Sequence, residues 1–295
     1  MSALFFDATY RLPLGWLQTV AAATDRLMQD ITKQLFNCEL SFDPADLLTH
    51  SGIDRLERYT RGNREHELFG DRATLIAEQR RVWNLARFAI AETTQAGLRY
   101  AERVMRETRV EAAERLRQKL DFSAAWGALE SAKLPHPKIA QLLKIAALLG
   151  DQKTLVICTT KVGAAEIAAA LFPYSPGSEV FQLHGGTRGF EKKFRAFHEA
   201  RTGMAVATAT HEGKLGIVVD TIIHYNLLTP NLQYIRGLTP LPRLQSLLIA
   251  ADHSLDLGCN FHRPGISPRI RGIAPSRRRR KQKDELTGNL PFPEG

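Results

Sequence analysis

The sequence predicts an α/β protein in which an all-helical bundle is followed by one parallel-sheet domain. Three observations predict it: apolar residues recur at helical spacing from about Pro13 to Ala147, the period changes at Pro135-His136-Pro137, and strand and helix patterns alternate from there to about Ala250. At 295 residues, 44% hydrophobic and 24% charged, the chain has enough apolar material for two modest cores and does not have a disordered composition.

The first helix is carried by Leu17, Val20, Ala21, Thr24, Leu27, Met28, Ile31 and Leu35, which recur at three- and four-residue steps and form one apolar stripe. Asp43 to Gly70 is polar and rich in turn formers, with Arg55, Arg58, Arg61 and Arg64 at three-residue steps; a helix there would line them along one side. A second helical run is expected over about Arg72 to Glu107, with Leu75, Val82, Leu85, Ala86, Ala89 and Ile90 inward, and shorter runs over Glu111–Leu120 and Ser123–Lys133. After the prolines, a helix over Lys138–Leu149 leads into Lys153–Thr159, an apolar run of the kind a strand covered on both faces requires. The alternation continues with helix Val162–Leu171, strand Val180–Leu183, helix Phe190–Ala200, strands Met204–Ala209 and Thr221–Tyr225, helix Asn231–Arg236 and strand Leu244–Ala250, and its crossovers should be right-handed. The expected domains are therefore 1–135 (helical), 136–262 (parallel sheet) and 263–295, a basic disordered tail containing Arg277-Arg278-Arg279-Arg280-Lys281.

Net charge is +9, with a pI near 9.6, so a polyanion is a reasonable partner. Cys38, Cys158 and Cys259 are odd in number and widely separated, with no pairing of the kind disulfide frameworks or zinc sites use. No metal or cofactor is implied. No run of 18 apolar residues exists and the first residues lack the pattern of a signal peptide, so a cytoplasmic, nucleoid-associated protein is expected and a membrane partner is not.

Several local motifs carry a resemblance. The helical zone precedes an HPK turn (His136, Pro137, Lys138), then come a helix, the strand TLVICTT, a helix with the sequence GFEKKFRAFHEA, and VATATHEGKLGI. In order and local sequence this resembles the second RecA-like domain of superfamily 2 helicases. The preceding bundle resembles the insertion between motor domains in archaeal Hef and its Fanconi anaemia M group relatives. The likeness spans about Pro13 to Phe261 and implies a RecA-like, helicase C-terminal-like sheet domain and a role in DNA replication or repair.

The departures from that family carry the functional argument. Its ATP chemistry needs a phosphate loop and an acidic box to neutralise the triphosphate, and no GxxxxGK(S/T) occurs; the Gly213-Lys214 pair lacks the upstream glycine. The resemblance implies that a first motor lobe would have to come from another chain, and it casts the N-terminal SALFFDATYRLPLG as the linker that would follow one. Where the family presents arginine fingers, this chain has Arg236-Gly237-Leu238-Thr239-Pro240-Leu241-Pro242-Arg243. Only Arg243 matches, and Pro240 and Pro242 break the backbone that would present the fingers. Where the family has a Glu-Glu-Gly-Leu-Asp motif, this chain has Glu212-Gly213-Lys214-Leu215-Gly216, which lacks the coupling aspartate. An ATPase acting alone is not expected.

Binding can survive without that chemistry. The resemblance implies that the bundle touches duplex or branched DNA, and arginine forks onto phosphate without reading sequence. Arg55, Arg58, Arg61, Arg64, Arg72, Arg80 and Arg81 are the bundle candidates, with Arg243, Arg277, Arg278, Arg279, Arg280 and Lys281 beyond it. The alternative is a solvated helix surface balanced by Glu57, Glu65, Glu67 and Glu78. Leu286–Phe292 could also dock into a partner's groove.

Other residues have plainer readings. His184-Gly185-Gly186 reads as a tight turn before it reads as a phosphate cradle, and His211 with Glu212 has no nucleophile or metal nearby. His253, Cys259 and His262 lack a fourth donor, and Trp16, Trp83 and Trp126 read as core anchors. Two function classes stay open: a non-catalytic helicase-like protein on forked or branched DNA that regulates or scaffolds a replication or repair enzyme, and a protein-interaction subunit docking on a helicase, nuclease or polymerase. An ATPase completed in trans is a third.

Overall fold

The computed structural model describes residues 4–10, 15–175, 179–208, 218–226 and 245–251, with side chains placed for 15–175, 179–208 and 218–226. Among these residues six parallel strands form one sheet in the order β1-β6-β5-β2-β4-β3. They are β1 (Leu4–Tyr10), β2 (Lys153–Cys158), β3 (Val180–Leu183), β4 (Gly203–Thr208), β5 (Thr221–His224) and β6 (Gln245–Ala251). All residues of β2, β4 and β5 are buried, as strands covered on both faces must be. On one face, α7 (Pro137–Leu149) and α8 (Lys161–Leu171) pack Ile139, Leu142, Ile167 and Leu171 against Val156 and Val206; on the other, α9 (Phe190–Glu199) packs Phe197 against Leu155 and Ala205.

The helical part comprises α1 (Trp16–Asn37), α2 (His50–Gly62), α3 (Phe69–Ala86), α4 (Thr94–Arg106), α5 (Glu111–Arg117) and α6 (Leu120–Glu130), with a 3-10 turn over Pro44–Leu48. The predicted apolar stripe of α1 is buried against α3 and α6 in a single core. Trp83 is an anchor of that core, its indole N–H donating to the Leu48 carbonyl at 2.9 Å, whereas Trp16 and Trp126 are partly buried against it. The polar segment 43–70 is helical because Thr49 caps α2, accepting the Gly52 N–H at 3.0 Å. Gly52 is required there: an added Cβ would lie 2.1 Å from the Asp46 carbonyl oxygen.

Two expectations are corrected. Residues Leu4–Tyr10, read as a linker, form a strand paired in parallel with β6 from Leu4↔Gln245 to Tyr10↔Ala251; Phe5, Phe6, Thr9 and Tyr10 are strand-favouring residues. In chain order the bundle is therefore inserted between an edge strand and the rest of its sheet. The continuous helix expected over 72–107 is broken instead. After α3 the backbone widens into a π-helix over Arg87–Glu92, Thr93 turns extended (φ −141°, ψ 163°), and its side chain caps α4 by accepting the Ala96 N–H at 3.2 Å.

Candidate nucleic-acid interface

Ligands of open α/β sheets bind beyond the carboxyl ends of the strands. At that edge β2 runs out through Thr159 and Thr160 into α8, whose first turn is capped by the Thr160 hydroxyl accepting the Gly163 N–H at 2.9 Å. Lys161 reaches across and donates to the Gly185 carbonyl at 2.7 Å. The His184-Gly185-Gly186 segment is the tight turn its sequence predicts: the amides of Gly186 and Thr187 both donate to the His184 carbonyl, at 2.7 and 2.9 Å, and so are turned inward.

The bundle meets this edge through its π-helix, whose irregular backbone leaves carbonyls for outside donors. The Ala89 carbonyl accepts from His136 Nε2 at 2.9 Å, and the Ala91 carbonyl accepts from Lys138 Nζ at 2.9 Å and from Asn226 Nδ2. His136 Nδ1 accepts the Lys138 N–H at 3.1 Å, capping α7, so the ring is the neutral Nε2–H tautomer. Burial agrees, pushing its pKa down to about 3. Glu92 completes the junction, with Oε1 accepting the Thr159 N–H and Oε2 accepting the Thr160 hydroxyl, both at 3.2 Å. Burial raises the Glu92 pKa to about 7, against the opposing pull of Arg87, Lys138 and these two donors. The HPK turn thus joins bundle to sheet, a role its sequence did not reveal.

The bundle arginines separate into three groups. Arg72, expected among the DNA contacts, is 5% exposed and its Nε donates to the Cys38 carbonyl at 2.8 Å, so it holds α3 to the end of α1. Arg80 is bound to Asp54 at 2.6 Å and Glu57 at 2.7 Å, and Arg81 to Glu107 at 2.8 Å, so both are largely neutralised inside the bundle. Arg80's hydrogen bond is the main reason the Asp54 carboxyl sits below its usual range. Arg55, Arg58, Arg61 and Arg64 are exposed, but Arg55 pairs with Asp46 at 2.7 Å, Arg61 with Glu57 at 2.9 Å, and Arg58 leans on the Asp54 carbonyl at 3.3 Å. Sequence reasoning passed over Arg99, Arg103 and Arg106, which stand exposed on α4 at i, i+4 and i+7, a spacing that could have found them. Arg236, Arg243, Arg277–Arg280 and Lys281 lie outside the described residues, as do His211, Glu212, Gly213, Lys214, His253, Cys259 and His262. Among the described residues no cluster of His, Cys, Asp or Glu could hold a metal ion, and no helix is long and apolar enough to cross a membrane.

The chain matches no protein-family model and no curated protein. Among solved structures it is similar to the Hef helicase domain of Pyrococcus furiosus, with a TM-score of 0.68 at 18% identity, covering 88% of this chain and 57% of that one. It therefore spans a little over half of the length of that domain. The C-terminal part of the Fun30 ATPase domain (TM-score 0.45, 11% identity, 85% of this chain and 86% of that one) is a looser likeness. So is the Sulfolobus solfataricus SWI2/SNF2 ATPase core in complex with dsDNA (TM-score 0.45, 10% identity, 84% and 41%). The Hef likeness establishes a fold: a helical region joined to a RecA-like parallel sheet of the helicase C-terminal type.

Proposed function

We propose that this is a non-catalytic, helicase-like protein that binds forked or branched DNA and regulates or scaffolds a replication or repair enzyme, as a degenerate relative of the Hef branch. The observation that supports it is a combination in one chain. A helicase-type bundle and sheet are kept over 88% of its length, while Lys214 and Gly216 stand in the coupling motif and Pro240 and Pro242 interrupt the finger stretch. Keeping the shape without those residues favours binding over turnover. A net charge of +9 supplies attraction for phosphate, and the run Arg277–Lys281 adds five consecutive cations to it. In the cell this reading places the protein on the nucleoid.

A second reading, a protein-interaction subunit, is favoured by apolar exposure on the sheet domain: Leu148 of α7 is 86% exposed, and Phe172 and Tyr174 are exposed on the 3-10 turn that α7 packs against. Fluorescence anisotropy with a fork, a four-way junction, linear duplex and single strand at two salt concentrations separates the two. Salt-dependent preference for branched DNA, with no DNA-stimulated ATP turnover, supports the first. Weak, structure-blind binding sinks it and leaves the second.

A further inference from the structure

We infer that the bundle meets the nucleic-acid backbone along α4, through Arg99, Arg103 and Arg106, and not along α2 where the arginine repeat is most conspicuous. This rests on the nucleic-acid reading above and specifies where the phosphates lie.

The reason is which charges are already spent. On α2, Arg55 and Arg61 are held by Asp46 and Glu57 at 2.7 and 2.9 Å, Asp54 and Glu57 are also gripped by Arg80, and Arg58 between them donates to the Asp54 carbonyl of its own helix, while Arg64 lies past the end of α2. On α4 the apolar side, with Ala101 and Val104, faces the core, and the opposite side carries the three arginines into solvent. Arg103 and Arg106 have side chains 74% and 82% exposed. Their carboxylate contacts are the longer ones: Arg103 reaches Glu107 at 3.3 Å, a group Arg81 already holds at 2.8 Å, and Arg106 reaches Glu102 at 3.6 Å. No carboxylate among the described residues lies within ion-pair distance of Arg99.

The spacing suits a polyanion. Arg99 to Arg106 is two helical turns, about 10.5 Å of axis, and one strand of a duplex brings a phosphate roughly every 3.4 Å along its axis. Three guanidinium groups therefore span about three phosphates of one strand. The stripe also begins at the strand-end edge. The Gln95 N–H donates to Glu166 of α8 at 3.0 Å, and Arg99 is one turn further along the same exposed side of α4. Backbone lying on the stripe would continue towards Lys161 and the carboxyl ends of the strands.

The test uses the full chain and labelled forked DNA in anisotropy titrations from low to moderate salt. The triple variant R99Q/R103Q/R106Q should bind on the order of tenfold more weakly, with the log–log salt slope smaller by about two to three. R55Q/R58Q/R61Q should keep the wild-type slope. The single variant R99Q, which breaks no ion pair, should lower the slope by about one, and unchanged circular dichroism and melting keep the comparison free of folding loss. Wild-type binding by the α4 triple, or a loss confined to the α2 triple, overturns the stripe alone. A wild-type chain that binds no DNA overturns the underlying reading as well, which is a different result.

Discussion

Glu92 in the bundle accepts the backbone N–H of Thr159 at 3.2 Å, immediately beyond the buried strand β2. Its second oxygen accepts the hydroxyl of Thr160, which in turn caps α8. One fully buried carboxyl therefore ties the π-helix of the bundle to the strand-end edge of the sheet, and Arg87 and Lys138 offset part of the cost of burying it. The relative placement of the two candidate binding surfaces depends on that seam.

The seam should be sensitive to pH. The folded Glu92 pKa is raised to about 7 from 4.5, so its contribution to stability is complete below the unfolded value and is lost as pH rises through the folded one. Urea unfolding of the wild type relative to E92Q should show a loss on the order of 3 kcal/mol between pH 5 and pH 8. A pH-independent difference would mean that the carboxyl is not protonated in the fold.

His136 should respond with the opposite sign. Its pKa is depressed to about 3, so the neutral ring stabilises the fold above the unfolded value of 6.5, and that contribution is lost as pH falls towards 3. H136A removes both the α7 cap and the donor to Ala89. It should cost about 2–4 kcal/mol at pH 7, read as a lower urea midpoint.

Two glycines should not tolerate alanine. In G52A the new Cβ would lie 2.1 Å from the Asp46 carbonyl oxygen, and in G97A it would lie 2.9 Å from the Ala89 Cα and Cβ. Backbone must move in both, and thermal melts should show a loss of about 2 kcal/mol or more, larger for G52A. G127A, in the exposed interior of α6 with open space around it, serves as the control and should melt at or slightly above the wild type, because alanine favours a helix over glycine by about 1 kcal/mol.

Glu78 is buried between α3 and its neighbours, 2.7 Å from Arg115 Nε and 3.3 Å from Lys119 Nζ. Burial raises its pKa, while both cations act to lower it. E78A leaves two cations facing each other around a cavity and should destabilise by about 3 kcal/mol. The double variant E78A/R115A should recover part of that loss, and strict additivity of the two would show that the pair is not coupled.

Much of the fold was legible in the chain because periodicity is a local property. The stripe from Leu17 to Leu35, the proline punctuation before α7 and the both-faces-buried run of β2 each report the environment of their own segment. The parallel strand-helix order followed from that alternation, and β3 fell at Val180–Leu183 as expected. What local pattern cannot carry is the identity of a partner distant in sequence. Glu92 and Thr159 are 67 residues apart, and Arg72 reaches a carbonyl 34 residues away. Leu4–Tyr10 becomes a strand by pairing with the far end of the chain at Gln245–Ala251. The sequence by itself determined the types of the elements whose pattern is local, from α1 to the buried strands, and the surplus of basic residues. Only tertiary packing decided which arginines are consumed by internal carboxylates and which remain on α4 for solvent, because an ion pair's energy depends on separation and burial in space and not on spacing along the chain.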